Sequence, residues 1–508
     1  MASLATSIVM QQSLQFPSAE QIAAIRAYIK QTWTTLSRSP ADILAAADDP
    51  KIERSENTPW LVYVSAKEDR LKVEQSLQQI LSQAEFNALT IKTLPADSQI
   101  KEHGLLYLPG SYVVPGGRFN EMFGWDSYFI LLGLLQDQEL DLAQSLVNQF
   151  VYEIEHYGTI LNANRTYFLT RSQPPVLTLM VLALFAHTRD QQWLQSVLPA
   201  IEKYYTFWTT PPHLHPETGL SRFFDSGKGP APEVISDEKD DAGRTHYDRI
   251  LEYYITQKLD GLDAYYDSAS GFTELFYQGD RSMRESGFDC SHRFGFFNLE
   301  ITQYLPVCLN VLLYQMEQDI AQIHQILGDN SVVKIWSDRA TKRSQMVDQL
   351  MWDEQAGLYF DYNFVTHQRS QYEFATTFYP LWVGIASPKQ AEIVKNLAKF
   401  LAPGGLLTST TVTGNQWDAP FGWAPLHLIA VQGLSRYHYF PQAEEIAKRF
   451  IALVVQEFEK YGVIVEKYDV VKCSANVSNE IHFGYSSNEI GFGWTNGVFL
   501  ELLAFLDH

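Results

Sequence analysis

Val113-Val114-Pro115-Gly116-Gly117-Arg118-Phe119-Asn120-Glu121-Met122-Phe123-Gly124-Trp125-Asp126-Ser127-Tyr128-Phe129 is the stretch on which the reading of this 508-residue chain turns. It opens as a Pro-Gly-Gly turn, where glycine lets the backbone pass where a side chain would block it. Arg118, Glu121 and Asp126 then stand among Phe119, Phe123, Trp125 and Tyr128, and from Ser127 onward the text becomes apolar and helical. Charged groups set among aromatic rings at the mouth of a helix suit a sugar. Aromatic faces stack on the C–H face of a pyranose, and Arg and Asp hydrogen-bond its hydroxyls. The same residues also read as an aromatic core corner around a satisfied ion pair.

Outward from this stretch, helix text dominates. Apolar residues recur at helical spacing over 137–157, 173–187, 191–208, 299–327, 332–352, 390–400, 426–437, 441–460 and 494–506, which predicts an all-α domain of roughly a dozen helices. Thr218-Gly219-Leu220, Ser270-Gly271-Phe272 and Ala356-Gly357-Leu358 each begin a short aromatic run, the recurrent turn that a ring of helical hairpins needs. Residues 227–244, with Gly227-Lys228-Gly229-Pro230-Ala231-Pro232 and a charged run, predict a long loop over a pocket. Residues 1–105 read as a mixed N-terminal extension packed on a main body of 106–508. It holds helices over 19–33 and 67–81 and a short strand at Trp60-Leu61-Val62-Tyr63-Val64. No chemistry is assigned to it.

Composition narrows the function classes. Hydrophobic residues make up 46% and aromatics 13%, ample for one large helical core. A net charge of −21 argues against nucleic acid and anionic membrane as partners. Cys290, Cys308 and Cys473 make no disulfide framework. Met1 to Phe16 lacks the features of a signal peptide and no apolar run is long enough to span a bilayer, so the reading is cytoplasmic. No Cys/His cluster has zinc spacing, no glycine loop opens a helix for phosphate and no serine elbow is visible, so no metal or cofactor is expected.

A second motif sharpens the first. Residues 113–129 resemble the first signature of the trehalases, glycoside hydrolase family 37, and Asn415-Gln416-Trp417-Asp418-Ala419-Pro420-Phe421-Gly422-Trp423-Ala424-Pro425 resembles the second. The resemblance covers about residues 108–508 and implies an (α/α)6 toroid with the pocket in the loops at one end. It further implies an inverting hydrolase acting on a small neutral α-glucoside, with trehalose as its substrate. Inversion needs one protonated and one ionised carboxyl, roughly 6.5–9.5 Å apart across the sugar.

The implied acid is Asp289, in Arg284-Glu285-Ser286-Gly287-Phe288-Asp289, which resembles the family's Ser-Gly-x-Asp motif. On residues alone Asp289 also reads as a helix N-cap; aromatic burial would raise its pKa and nearby arginines would lower it. The implied base is Glu480, set between the family-like anchors Glu466-Lys467-Tyr468-Asp469 and Gly491-Phe492-Gly493-Trp494, with Glu489 as its rival. Asn162-Ala163-Asn164-Arg165 and Arg171-Ser172-Gln173-Pro174-Pro175 match a further family run. The implied substrate contacts are therefore Arg118, Phe119, Trp125, Asp126, Asn162, Arg171, Gln173, Arg284, Gly287, Trp417 and Asp418, with Glu233 on the leaving-group sugar.

Three positions depart from the family: Phe288, Cys308 where many members have Asp, and the segment around Glu480. They keep open another α-glucosyl compatible solute, glucosylglycerol above all. Other readings are a sugar-binding protein that has lost catalysis and a phosphorylase, the last lacking any basic or glycine-rich cluster for phosphate.

Overall fold

A computed structural model describes residues 15–51, 59–96, 100–237, 239, 242–477, 481–485 and 487–507. Its centre is a closed ring. Helix Asp126–Gln136 packs on Leu177–Thr188, which packs on Val307–Ile326, then Tyr379–Val383, Ala424–Arg436 and Gly493–Leu506, and the last returns to the first. These inner helices are apolar almost all round; in Asp126–Gln136 every residue but the last is buried, as expected of a helix with protein on all sides. Ring closure depends on two glycines. A Cβ on Gly497 would overlap the carbonyl of Phe129, and one on Gly133 would stand 2.7 Å from the Gly497 Cα.

Amphipathic helices form the outer layer: Leu140–His156, Gln191–Trp208, Asn330–Met351, the 390–400 segment and Phe440–Tyr461. Each follows an inner helix in sequence, which makes an antiparallel hairpin. The sixth outer position is taken by Ala19–Leu36, which packs on Phe440–Tyr461 and Gly493–Leu506. A Ser18–Gln21 capping box fixes its start. The all-α toroid expected from sequence is the fold.

Element edges moved where proline intervenes. The helix expected over 299–327 begins only at Val307, after Pro306 as N-cap, with 3-10 turns before it. That expected over 173–187 begins at Leu177, beyond Pro174 and Pro175. The 390–400 segment starts as a 3-10 run, Gln390–Asn396, and ends as a short helix, Leu397–Phe400. Helices His246–Gln257 and Glu274–Glu285 were missed. The three echoed turns share one form: each joins two-residue antiparallel strands through a short turn and has its glycine at positive φ, +68° at Gly219, +87° at Gly271 and +64° at Gly357.

The N-terminal segment also builds a small parallel sheet. Strand Trp60–Val64 lies between Leu89–Thr93 and Leu105–Leu106, with Arg70–Ile80 as the crossover helix. Lys67 and Ser65 beyond the central strand hold carbonyls at the end of Leu140–His156, Ser65 Oγ donating to His156 at 3.1 Å. Among the described residues no helix is long and apolar enough to cross a membrane.

Candidate active site

The loops before the inner helices meet in one pocket, with about 760 Å³ of atom-free space including its mouth. Into it come Arg118, Phe119, Trp125, Asp126, Asn162, Arg171, Gln173, Glu233, Arg284, Gly287, Asp289 and Trp417. Stretches scattered over about 300 positions thus converge as the resemblance implied. The Pro-Gly-Gly turn makes this possible: Gly117 has φ +54° and a Cβ there would strike Glu489.

On the side of residues 118–173, backbone amides are held by side chains distant in sequence. Trp125 N donates to Gln173 Oε1 at 2.9 Å, Met122 N to Asn164 Oδ1 at 2.8 Å, and Arg118 N to Glu489 Oε2 at 3.0 Å. Asp126 begins the first inner helix and is buried. Burial, then the charges of Glu466 and Asp289, push its carboxyl well above the ordinary carboxylate range. A protonated Asp126 can donate to a sugar hydroxyl as well as accept. Arg171 lies over the Phe168 ring at 4.8 Å and pairs with Glu233, while its Nε and Nη1 and Glu233 Oε2 are buried without a hydrogen-bond partner. Arg171 Nε faces Asp225 Oδ2 at 4.0 Å, while Nη1 and Glu233 Oε2, on residues that line the pocket, suit the hydroxyls of a ligand.

Asp289 presents a partly exposed carboxyl, 29% accessible, with Arg284 Nη1 at 3.6 Å. Arg284 also binds Asp280 at 3.2 Å, so its charge is shared. Burial alone would raise the Asp280 carboxyl, but Arg284 and the bonds around it bring it below its ordinary value. Gly287, at φ +75°, lets this loop lie on Trp125, whose Cε2 would be 3.0 Å from a Cβ. Phe288 is buried edge-on among Trp125, Trp417 and Phe374, at 5.4, 5.1 and 5.5 Å. It faces the aromatic core and is absent from the pocket lining.

Against the side of residues 118–173 stand Glu466, Tyr485, Phe492 and Trp494, which also line the pocket. Lys467 is buried beneath them, its Nζ 3.0 Å from Glu466 Oε2 and 3.8 Å from the centre of the Tyr485 ring. Burial lowers this ammonium's pKa, opposed by the Glu466 charge. Tyr485 donates to Glu466, and Arg118 covers its ring at 4.7 Å. Burial and the Glu466 carboxylate hold the phenol strongly protonated.

Two site expectations fall elsewhere. Glu480 lies outside the described residues. Asp418 sits behind the wall, fully buried, accepting from Tyr372 Oη at 2.7 Å, Thr413 Oγ1 at 2.6 Å and His292 N at 3.0 Å; burial pushes its carboxyl up to about 6. It braces the loops that carry Trp417 and the Asp289 segment. Glu489 is also outside the lining, bound to the Arg118 amide and to Ser487. Cys308 needs no carboxylate: its sulfur touches the Arg293 guanidinium at 3.5 Å, while Asp361 pairs with that arginine at 2.6 and 2.7 Å.

Sequence reasoning missed Lys51, Phe123, Phe168, Gln416, Glu466 and Tyr485 as lining residues. Glu466 and Gln416 stood inside quoted motifs and were available there. Lys51 carried no local signal.

Fold and pocket together define a helical toroid with a sugar-type cleft at one end. The family model described as Trehalase matches residues 10–507, and the chain belongs to the trehalase family. It is 38% identical over 437 residues to a cytosolic neutral trehalase of Pyricularia oryzae, covering 77% of this chain and 58% of that protein. To the cytosolic neutral trehalase of Saccharomyces cerevisiae it is 37% identical over 438 residues, covering 78% and 57%. The chain thus spans less than three-fifths of the length of these relatives. The solved structure of neutral trehalase Nth1 from Saccharomyces cerevisiae superposes with a TM-score of 0.79 at 31% identity, over 96% of this chain and 94% of that one. A GH63 mannosylglycerate hydrolase from Thermus thermophilus, at 17% identity and a TM-score of 0.51, covering 78% of this chain and 96% of that one, shares the fold.

Proposed function

We propose that this protein is an inverting glycoside hydrolase that releases glucose from a small neutral α-glucoside, trehalose being the substrate its relatives' names indicate. The observation that carries the reading is the placement of Asp289 in one pocket with Arg118, Trp125, Asp126, Asn162 and Arg171. The aromatic faces and open polar atoms bind the glucosyl unit, Asp289 protonates the leaving oxygen, and a second carboxylate takes a proton from water that attacks the anomeric carbon from the other side. Glu480 is the residue proposed for that second role. Glu233 and Arg284 address the leaving group. By the same names, its compartment is the cytosol.

The test is hydrolysis of trehalose and glucosylglycerol, followed by NMR from the first turnovers. From trehalose, the first turnovers should give β-glucose and α-glucose in equal amounts, because the leaving glucose keeps its α configuration, and from glucosylglycerol β-glucose alone. kcat/KM should favour trehalose by roughly tenfold or more, since a pocket that hydrogen-bonds one leaving group rejects another. Initial α-glucose without β-glucose refutes inversion, and a preference for glucosylglycerol reassigns the leaving-group side.

A further inference from the structure

Beneath the wall that carries Phe119, four charged side chains close on one another, and two come from the N-terminal segment. Lys51 Nζ lies 2.8 Å from Glu121 Oε1 and 3.1 Å from Asp49 Oδ1. Arg165 Nε lies 2.8 Å from the same Glu121 oxygen, and its terminal nitrogens donate to the carbonyls of Ala46, Ala47 and Asp48 at 2.7–3.1 Å. Tyr167 Oη donates to Asp49 Oδ2 at 2.8 Å. Lys51 is 3% exposed, Arg165 1% and Glu121 0%. Two cations thus face two anions out of water, an arrangement in which removing one partner leaves a buried charge uncompensated.

The cluster sits under the middle of the sugar-binding segment, where Arg38 Nη2 also donates to Asn120 Oδ1 at 2.9 Å. Residues 118, 122 and 125 are tied by their amides to Glu489, Asn164 and Gln173. Between them, Asn120 N donates to Glu121 Oε2 at 3.1 Å, and the Asn120 amide reaches the Asp48 carbonyl at 3.3 Å. The middle of the segment is therefore held from the N-terminal side. Lys51 also lines the pocket itself, its Nζ 5.7 Å from the Phe119 ring centre.

We propose that Lys51 is a positioning residue for sugar binding: through Glu121 and the Phe119 ring it fixes the Arg118–Asp126 segment in the geometry that grips the glucosyl unit. The proposal rests on the glycoside-hydrolase reading above. It makes the N-terminal segment part of the active site. Burial by itself would raise the Glu121 carboxyl, and Lys51 and Arg165 hold it below its ordinary value. Without Lys51 the Glu121 carboxyl keeps Arg165 but loses one of its two cations, beside the Asp49 charge that opposes them, so it titrates at higher pH than in the wild type.

The test is Lys51→Met beside Lys51→Arg. For Lys51→Met we expect kcat/KM to fall about 100-fold, the size of a small misplacement of binding groups, and the acid limb of its pH profile to move upward. Lys51→Arg keeps the charge with a different shape and should recover to within about tenfold of wild type. Hydrogen exchange of the wild-type protein should show amides of 46–51 slowed by saturating glucose. A folded Lys51→Met with wild-type kcat/KM and pH profile overturns the proposal and leaves Lys51 a structural tie. Should Lys51→Met not fold, exchange at 46–51 indifferent to glucose overturns it equally. Absence of turnover in the wild type sinks the hydrolase reading alone, because glucose protection still decides Lys51.

Discussion

The two walls of the pocket are built in different ways. The wall from residues 118–173 is fixed by backbone amides donating to Gln173, Asn164 and Glu489, so its shape is tied to the main chain. The part that carries Glu466, Lys467 and Tyr485 rests on a strand paired with Phe421–Trp423 and adds a stack of side chains, Lys467 being clasped by Glu466, Gln416 and the Tyr485 ring. A side chain within such a stack can be replaced without moving the backbone, whereas one that holds an amide, as Gln173 and Asn164 do, cannot.

The largest effect that sharpens the contrast is at the acid. Asp289→Asn should keep glucose affinity, which the first wall supplies, while turnover falls about 10²–10⁴-fold or more. Single-turnover kinetics with glucose titration check this, and turnover above roughly a tenth of wild type would rule the role out.

The next comparison sets Glu480→Gln against Glu489→Gln. If the base stands at Glu480, its loss should lower kcat by about 10³-fold with KM little changed. Loss of Glu489, which holds the Arg118 amide and lies 3.5 Å from the Arg118 guanidinium, should instead act mainly through KM, by roughly tenfold. Reversal of the two patterns would move the base to Glu489.

The smallest effect lies away from either wall and serves as a control. Asp319 is buried on the inner helix Val307–Ile326, with Oδ2 lacking a hydrogen-bond partner, and burial pushes its carboxyl up to about 6. A raised carboxyl contributes stability below its unfolded value near 4, and that contribution is lost as pH rises through about 6. Asp319→Asn should therefore gain about 2 kcal/mol relative to wild type on going from pH 4 to pH 8, with kcat/KM unchanged. Melting curves at the two pH values check this, and a pH-independent difference contradicts it.

Much of the toroid was legible because inner helices are apolar all round and outer ones are amphipathic, a difference that periodicity reports. The echoed Gly-Leu/Phe turns were visible because each requires a left-handed glycine. The pocket residues were legible only through motifs, since their convergence is set by tertiary packing. Lys51 stayed hidden for that reason: its partners Glu121 and Arg165 are distant in sequence, and Asp49-Pro50-Lys51 looks like any surface turn. Helix His246–Gln257 was hidden by its charged, tyrosine-rich text, which follows directly on the expected loop 227–244.

The glycine contact between Gly133 and Gly497 joins helices about 360 positions apart. A ring has no free edge, so no hairpin can detach without breaching the annulus and parting the loops at its rim. Catalytic competence and global cooperativity then become one property. Heat inactivation should coincide with the main unfolding transition instead of preceding it, and activity serves as a gauge of whether the annulus is shut.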